Sequence, residues 1–307
     1  MFTHLHGHST FSFLEAIGQP ADIVSKAKSL GMQGIAITDL GGMYSAIKLY
    51  QSAKAQEMTP ILGVELGFVV DIVDFRPHHE IGNICLLALN YEGYLNLIKL
   101  VSIANTEGID GRAKIDLKHL EQYSSNIIAF FGGEESWLGK KILKNADEKQ
   151  TEEILQKLIT IFGKENVFLE IIAQEHSKLP NIEKINHAVQ TLATKHELGV
   201  IVGNTYRYIN KEDKESWEIA LAIKDVKKIY DEDRRKPIGD FSIQSEEEIV
   251  ATCQANGFAD TEIQQRIATN NSILESVNIE IDMYQSLFPV HQTPENIQDS
   301  CTFNRDL

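Results

Sequence analysis

Short apolar runs alternate with stretches of helical periodicity along most of the chain. Seven of these runs predict β-strands, at residues 2–8, 34–38, 60–70, 83–89, 126–131, 167–172 and 199–202. Helical patterns separate them, at residues 20–30, 43–56, 94–103, 182–196 and in stretches leading to residue 162. Repeated alternation of apolar strands and helices is typical of a parallel sheet covered by helices, so we expect an α/β fold.

The first strand bears on the architecture of that sheet. No dinucleotide-binding glycine fingerprint follows it, which favours a closed barrel over an open sheet. Residues 212–280 are predicted to be mostly helical and would add C-terminal helices to the barrel. We predict one domain over residues 1–285, followed by a linker at residues 286–307, where prolines and polar residues replace the apolar pattern.

Composition is that of an ordinary globular protein, with 43% hydrophobic and 24% charged residues. No apolar run approaches the roughly 18 residues of a membrane span, and the first residues do not resemble a secretory signal. The three cysteines, Cys85, Cys253 and Cys301, are far apart and form no CxxC pair. We therefore expect a cytoplasmic protein without a membrane partner.

The net charge of −15 argues against an autonomous nucleic-acid binder, which usually carries a basic face. Six basic residues do cluster between positions 224 and 236, but four acidic residues are interspersed among them. This segment is interpreted as a solvated charged surface, with a functional basic patch as the alternative.

Three alternating histidines, His4, His6 and His8, are the sharpest local feature of the sequence. Residues two apart in a strand point to the same side, and barrel active sites lie at the carboxyl ends of strands. Imidazoles in this arrangement can bind a divalent metal. The alternative is a strand whose histidines are merely hydrogen-bonded.

Acidic residues accompany the predicted strand ends. Asp39 ends the second strand, Glu65 lies in the third, and Glu15 follows the histidine-bearing strand closely enough to fold back over it. Carboxylates that converge with imidazoles could share a metal and activate a water molecule. Each acid could instead be a helix cap or a surface charge, and backbone N–H groups could satisfy Asp39.

Several blocks of the sequence resemble the PHP (polymerase and histidinol phosphatase) domain of bacterial polymerase III alpha chains. The opening block is HLHGHSTFSFLEA, at residues 4–16, and further blocks lie at 30–50, 60–65, 86–88, 93–97, 168–171 and 202–204. The blocks are collinear and cover roughly residues 1–290. The resemblance implies a distorted (β/α)7 TIM-like barrel with up to three divalent metals, to which His6, His8, Glu65 and, less exactly, Glu15 would correspond as ligands.

Other ligand positions implied by the resemblance carry residues that differ from the family's ligands. They are Leu40, Asn83, Gly133, Thr205 and Arg207. Leucine and glycine side chains donate nothing to a metal, and Arg207 would bring a fixed positive charge. We therefore expect at most one weakly bound divalent metal (zinc, manganese or magnesium), or none. Arg207 is predicted to pair with Glu65, Glu15 or Asp39 in place of a metal, unless it points to solvent.

The resemblance also implies a function. The chain lacks the paired aspartates of a polymerase palm, so we expect it to be a fragment of a longer DNA polymerase, contacting DNA through the full-length enzyme. Its role would be to support the polymerase core of the same polypeptide and to dock the proofreading exonuclease. The alternatives are a metal-dependent phosphoesterase or 3′–5′ exonuclease acting through the PHP site, and a free-standing barrel hydrolase.

Overall fold

A curled, seven-stranded sheet forms the centre of the computed structural model, which describes residues 2–72, 81–107 and 113–284. Its strands are β1 (Gly34–Ile37), β2 (Thr59–Phe68), β3 (Gly82–Ala88), β4 (Lys114–Ile115), β5 (Ile127–Phe131), β6 (Val167–Ile172) and β7 (Gly199–Gly203). The order across the sheet is β1-β2-β3-β5-β6-β7, and β4 pairs with β2. The predicted α/β class is confirmed, whereas the predicted linker at residues 286–307 lies outside the described residues.

Strand β3 corrects the expectation of an all-parallel sheet. It runs antiparallel to both β2 and β5, while the pairs β1–β2, β5–β6 and β6–β7 are parallel. All but one of the residues of β3 are buried, so the strand is an apolar run whatever its direction. Hydrophobic pattern alone therefore could not distinguish the two orientations.

The predicted strand at residues 2–8 is an extended segment without a regular ladder. It lies between the two edges of the sheet: the backbone N–H of Ala36 donates to the carbonyl of His4 at 2.9 Å, and that of His8 to the carbonyl of Tyr206 at 2.9 Å. The segment thus connects β1 with the residues that follow β7, as a distorted TIM-like barrel requires. A Cβ atom at Gly7 would lie 2.0 Å from the Tyr206 ring, so only glycine allows this approach.

Ten α-helices accompany the sheet in the described residues. They are α1 (Pro20–Ser29), α2 (Ala46–Ala55), α3 (Tyr91–Glu107), α4 (Leu117–Tyr123), α5 (Trp137–Leu143), α6 (Glu148–Phe162), α7 (Pro180–His196), α8 (Lys214–Lys224), α9 (Glu246–Ala255) and α10 (Asp260–Ser276). The predicted C-terminal helices are α8, α9 and α10. Each helix among residues 2–72, 81–107 and 113–284 is too short or too polar to cross a membrane.

Local sequence accounts for the helices directly. In α6 the buried residues are Ile154, Leu155, Leu158, Ile159 and Phe162, a spacing that places them on one face against the sheet. The side chain of the preceding Asp147 accepts a hydrogen bond from the backbone N–H of Gln150 at 3.2 Å, which satisfies one of the unpaired donors of the first turn.

Candidate metal centre

Three predicted ligands, His6, His8 and Glu65, meet in the interior of the barrel. One ligand atom from each lies within 4.8 Å of the others, and all three residues are buried. His8 Nε2 is 2.7 Å and His6 Nε2 is 3.3 Å from the same oxygen, Glu65 Oε2. The two histidines face one side because they are two residues apart in extended backbone, and Glu65 reaches them from β2.

A fourth residue, Glu170, belongs to this cluster and was not predicted. Its Oε2 atom lies 2.8 Å from His6 Nδ1, and the residue is only 1% exposed. The signal for it was an acid inside the otherwise apolar strand VFLEII, since a carboxylate is almost never buried without a partner. In metal sites, a carboxylate that bonds to the ring nitrogen not facing the metal commonly orients the histidine ligand.

His4 lies apart from the other two histidines. Its Nε2 atom is 2.9 Å from the carbonyl oxygen of Gln244, and its ring packs against Phe2 and Tyr206. A residue two positions earlier in extended backbone lies roughly 6–7 Å farther along the chain, which takes His4 away from the carboxylates. The contacts of His4 therefore match the alternative interpretation, in which a histidine of this segment is hydrogen-bonded within the protein and does not bind a metal.

Asp39 organises the loop that follows His8. Its carboxylate accepts hydrogen bonds from the backbone N–H of Ser9 at 2.8 Å and from the hydroxyls of Ser9 and Ser12, both at 2.7 Å. These bonds match the alternative in which nearby polar groups satisfy the acid. Asp39 is not among the residues of the 4.8 Å cluster, and a role as a metal ligand stays a prediction.

Glu15 is held in a surface ion-pair network. Its carboxylate lies 2.7 Å from Lys224 Nζ and 3.3 Å from Arg235, and Arg235 also pairs with Asp225 at 2.5 Å. These contacts involve the mixed basic and acidic segment at residues 224–236 and favour its interpretation as a solvated, internally paired surface. Glu15 too lies outside the cluster, and its predicted ligand role is untested.

Two of the positions at which the resemblance implies further ligands, Asn83 and Thr205, bond to the cluster. Asn83 Nδ2 donates to Glu65 Oε1 at 2.7 Å, and Thr205 Oγ1 lies 3.4 Å from His6 Nδ1. Leu40 forms an isolated backbone bridge with Glu65. Gly133 has a φ of 72°, and its carbonyl accepts from the Ser136 hydroxyl before α5. Asn83 therefore occupies a lone pair of Glu65 that a metal could otherwise use.

The prediction that Arg207 pairs directly with a carboxylate is wrong for the part of the chain that the structure describes. The ion pairs of Glu65 go to His6 and His8, and those of Glu15 go to Lys224 and Arg235. Arg207 nevertheless acts at a distance. Burial and the positive charge of Arg207 lower the pKa of His8. Burial lowers the pKa of Arg207 itself, and the negative charges of Glu65 and Glu15 oppose that shift.

The electrostatics of the cluster place a positive charge on His6. Burial alone would lower the pKa of its imidazole, but Glu170 and Glu65 outweigh burial and raise that pKa to about 10. Burial and Arg207 lower the pKa of His8 to about 4. Burial would raise the pKa of Glu65, yet the bonds from His6 and His8 hold it well below its usual range. A proton on His6 therefore supplies positive charge between two carboxylates.

The donor set fits one divalent ion. Two imidazoles and one carboxylate are the protein ligands of several zinc enzymes, and Glu170 orients the His6 ring for that purpose. Binding has two costs here. The ion must displace the proton of His6. A metal on His8 Nε2 would also move that ring's proton to Nδ1, a buried atom without a hydrogen-bond partner among the described residues.

The raised pKa of His6 predicts a loss of stability at alkaline pH in metal-free protein. The folded pKa of about 10 exceeds the ordinary value of 6.5, so this contribution is fully present below pH 6.5 and disappears as the pH rises through 10. The free energy of unfolding, measured with a chelator, should fall over this window. His6→Asn should flatten the slope, whereas His187→Asn at an exposed site should retain it. Equal slopes in all three proteins would contradict the assignment.

Comparisons with known proteins identify a family and relatives for this chain. The profile of the PHP domain family matches residues 4–174. The DNA polymerase III subunit alpha of Borreliella burgdorferi is 34% identical over 256 residues, which cover 81% of this chain and 22% of that protein. The Thermus aquaticus subunit is 31% identical over 259 residues, covering 81% and 21%.

Among solved structures, a two-domain protein from Bacteroides vulgatus containing a predicted PHP-like metal-dependent phosphoesterase is similar with a TM-score of 0.43. It is 13% identical, and the similarity covers 68% of this chain and 52% of that one. The chain spans about a fifth of the length of the two polymerase relatives. The family match extends over more than half of the chain and contains His6, His8 and Glu65, so the chain belongs to the PHP domain family, in a form homologous to part of DNA polymerase III alpha subunits.

Proposed function

We propose that this chain is the PHP domain of a replicative DNA polymerase III alpha polypeptide and serves it as a structural domain. DNA-templated DNA synthesis would be carried out by the remainder of that polypeptide. The observation that carries the proposal is the state of the metal centre, in which three predicted ligands remain and hydrogen bonds within the protein engage them.

The chemistry of phosphoester cleavage explains why this centre should be inactive. Two-metal enzymes stabilise both the attacking and the leaving oxygen with ions about 3.5–4 Å apart. His6, His8 and Glu65 supply donors for one ion, and Leu40 and Arg207 occupy positions where the family implies further ligands. Two imidazoles and one carboxylate match the ligand preference of zinc. A single zinc ion would polarise one bound oxygen but could not stabilise the attacking and the leaving oxygen together.

A metal centre whose carboxylates are balanced by a protonated histidine and by hydrogen bonds is consistent with a structural role for the domain. Glu65, His6 and Glu170 form a buried, connected network, so the barrel interior does not depend on an ion to satisfy these charges. The proposed partners are the polymerase core of the same polypeptide, the proofreading exonuclease, and DNA through the full-length enzyme. The proposed location is the cytoplasm.

Two assays on the purified chain test this proposal. It should not extend a primed template. It should also release little or no nucleotide from the 3′ end of labelled single-stranded DNA with manganese, zinc or magnesium, because one ion cannot perform the two-metal reaction. Turnover that is lost in His8→Ala would instead assign the alternative function, a metal-dependent phosphoesterase or 3′–5′ exonuclease. Turnover that persists in His8→Ala would indicate a contaminating nuclease.

A further inference from the structure

Helix α3 carries apolar side chains on the face that points away from the sheet. Tyr91, Leu95 and Ile98 are 43%, 39% and 38% exposed, and residues three and four apart lie in one line along a helix. The opposite face of α3, which includes Leu97 and Leu100, is buried. This helix is therefore apolar on two sides.

A surface helix normally presents polar residues to solvent, and α6 does so. Both α3 and α6 pack on strands of the same sheet. The exposed residues of α6 are all polar, among them Glu153, Gln156 and Lys157. An apolar surface all round is instead typical of a helix that is covered on both sides. The outer face of α3 therefore indicates a further layer of protein over this part of the barrel.

The described chain ends beside this face. After α10, the backbone N–H of Asn278 donates to the carbonyl of Leu89 at 2.7 Å, just before α3 begins. The backbone N–H of Ile281 then donates to the Tyr50 hydroxyl of α2 at 3.0 Å. Tyr284, the last described residue, is 96% exposed, and its Cα atom can lie no more than about 11 Å from that of Ile281. The chain thus leaves the described region next to α2 and α3.

We infer that the Tyr91–Leu95–Ile98 face of α3 is the surface on which the polymerase core of the same polypeptide docks. This inference rests on the proposed function, under which the core follows the present chain. The chain spans about a fifth of the two polymerase relatives, so most of the proposed polypeptide lies outside it. The core would be joined at the end beside α3, which brings it to this face.

The chemistry of the face favours an apolar protein surface as its complement. From Tyr91 to Ile98, the one charged residue that α3 exposes is Glu92, and its carboxylate already accepts a hydrogen bond from the Asn126 side chain at 2.9 Å. Such a surface offers little to the phosphates of DNA, which are bound by basic residues. Burial of its apolar side chains would instead stabilise contact with another protein domain.

Thiol labelling of the full-length polypeptide, with the 307-residue chain for comparison, tests this inference. Leu95→Cys places a thiol on the face, and Gln156→Cys places one on the polar outer face of α6 as the matched control. In the 307-residue chain both thiols should react with N-ethylmaleimide at similar rates. In the full-length polypeptide the rate at position 95, measured by mass spectrometry of its peptide, should fall at least about tenfold, and the rate at position 156 should not change.

Primer extension by the same full-length preparation tests the proposed function separately. Equal labelling of position 95 in both proteins, in a polypeptide that extends a primed template, would overturn the inference and leave the proposed function standing. A polypeptide that extends no primer would overturn the proposed function and with it the identity of the docked part. Slow labelling that requires added exonuclease would assign the face to that partner, and slow labelling in the 307-residue chain itself would assign it to a second copy. Either result contradicts the inference, as does equal slowing at positions 95 and 156.

Discussion

Replacing Glu65 with glutamine should lower the free energy of unfolding by about 3–5 kcal/mol, the range for breaking a buried ion pair. Glu65 is 5% exposed, and its two carboxylate oxygens accept hydrogen bonds from the side chains of His6, His8 and Asn83. A glutamine would place an NH2 group against these donors and would remove a counter-charge of the protonated His6. Urea denaturation at neutral pH with a chelator present measures the change.

The matched control is Glu280→Gln. Glu280 also forms an ion pair, with Lys54 at 2.6 Å, but its side chain is 71% exposed. Solvent screens such a pair, so its loss should change stability by no more than about 0.5 kcal/mol. A similar small effect for Glu65→Gln would mean that the cluster contributes little to the folded state, and the proposed structural role of the centre would lose its support.

Replacing Arg207 with histidine should increase the affinity for zinc on the order of 10- to 100-fold. The change removes a fixed positive charge that acts on His8 and Glu65, and it introduces an imidazole where the family implies a ligand. One nearby positive charge in a partly buried site should repel a divalent ion by about 1.4–2.8 kcal/mol. Because about 1.4 kcal/mol corresponds to a tenfold change in Kd, this repulsion equals a 10- to 100-fold difference in affinity. Competition with a chromophoric chelator measures the affinity of each variant.

Two further variants separate the causes. Arg207→Ala removes the charge without adding a ligand and should give a smaller increase in zinc affinity. Arg235→Ala removes an arginine whose charge is already paired with Glu15 and Asp225, and it should leave zinc affinity unchanged. An unchanged affinity in Arg207→His as well would show that the arginine does not restrain metal binding.

Local patterns in the sequence were sufficient for most elements and for the core of the site. The spacing of apolar residues predicted α6 and the helices of the C-terminal region, because one buried face is a property of neighbouring residues. The alternation of His6 and His8 predicted that they share a side, since backbone geometry alone determines it. The collinear blocks also imply that Leu40 and Arg207 stand at ligand positions of the family, and that interpretation stays a prediction.

Tertiary structure decided the partners of these residues. The contact of His6 with Glu170 joins positions 164 residues apart, and no local periodicity encodes such a contact. Asp39, Glu15 and Glu65 were all candidate ligands in the sequence. Of these three, Glu65 alone lies in the histidine cluster, because its strand β2 pairs with β1, which in turn bonds to the segment at residues 2–8. The direction of β3 and the distance of Arg207 from the carboxylates were likewise set by packing. The sequence by itself determined which chemical groups were available, and the fold decided which of them meet, because proximity across the barrel depends on the path of the whole chain.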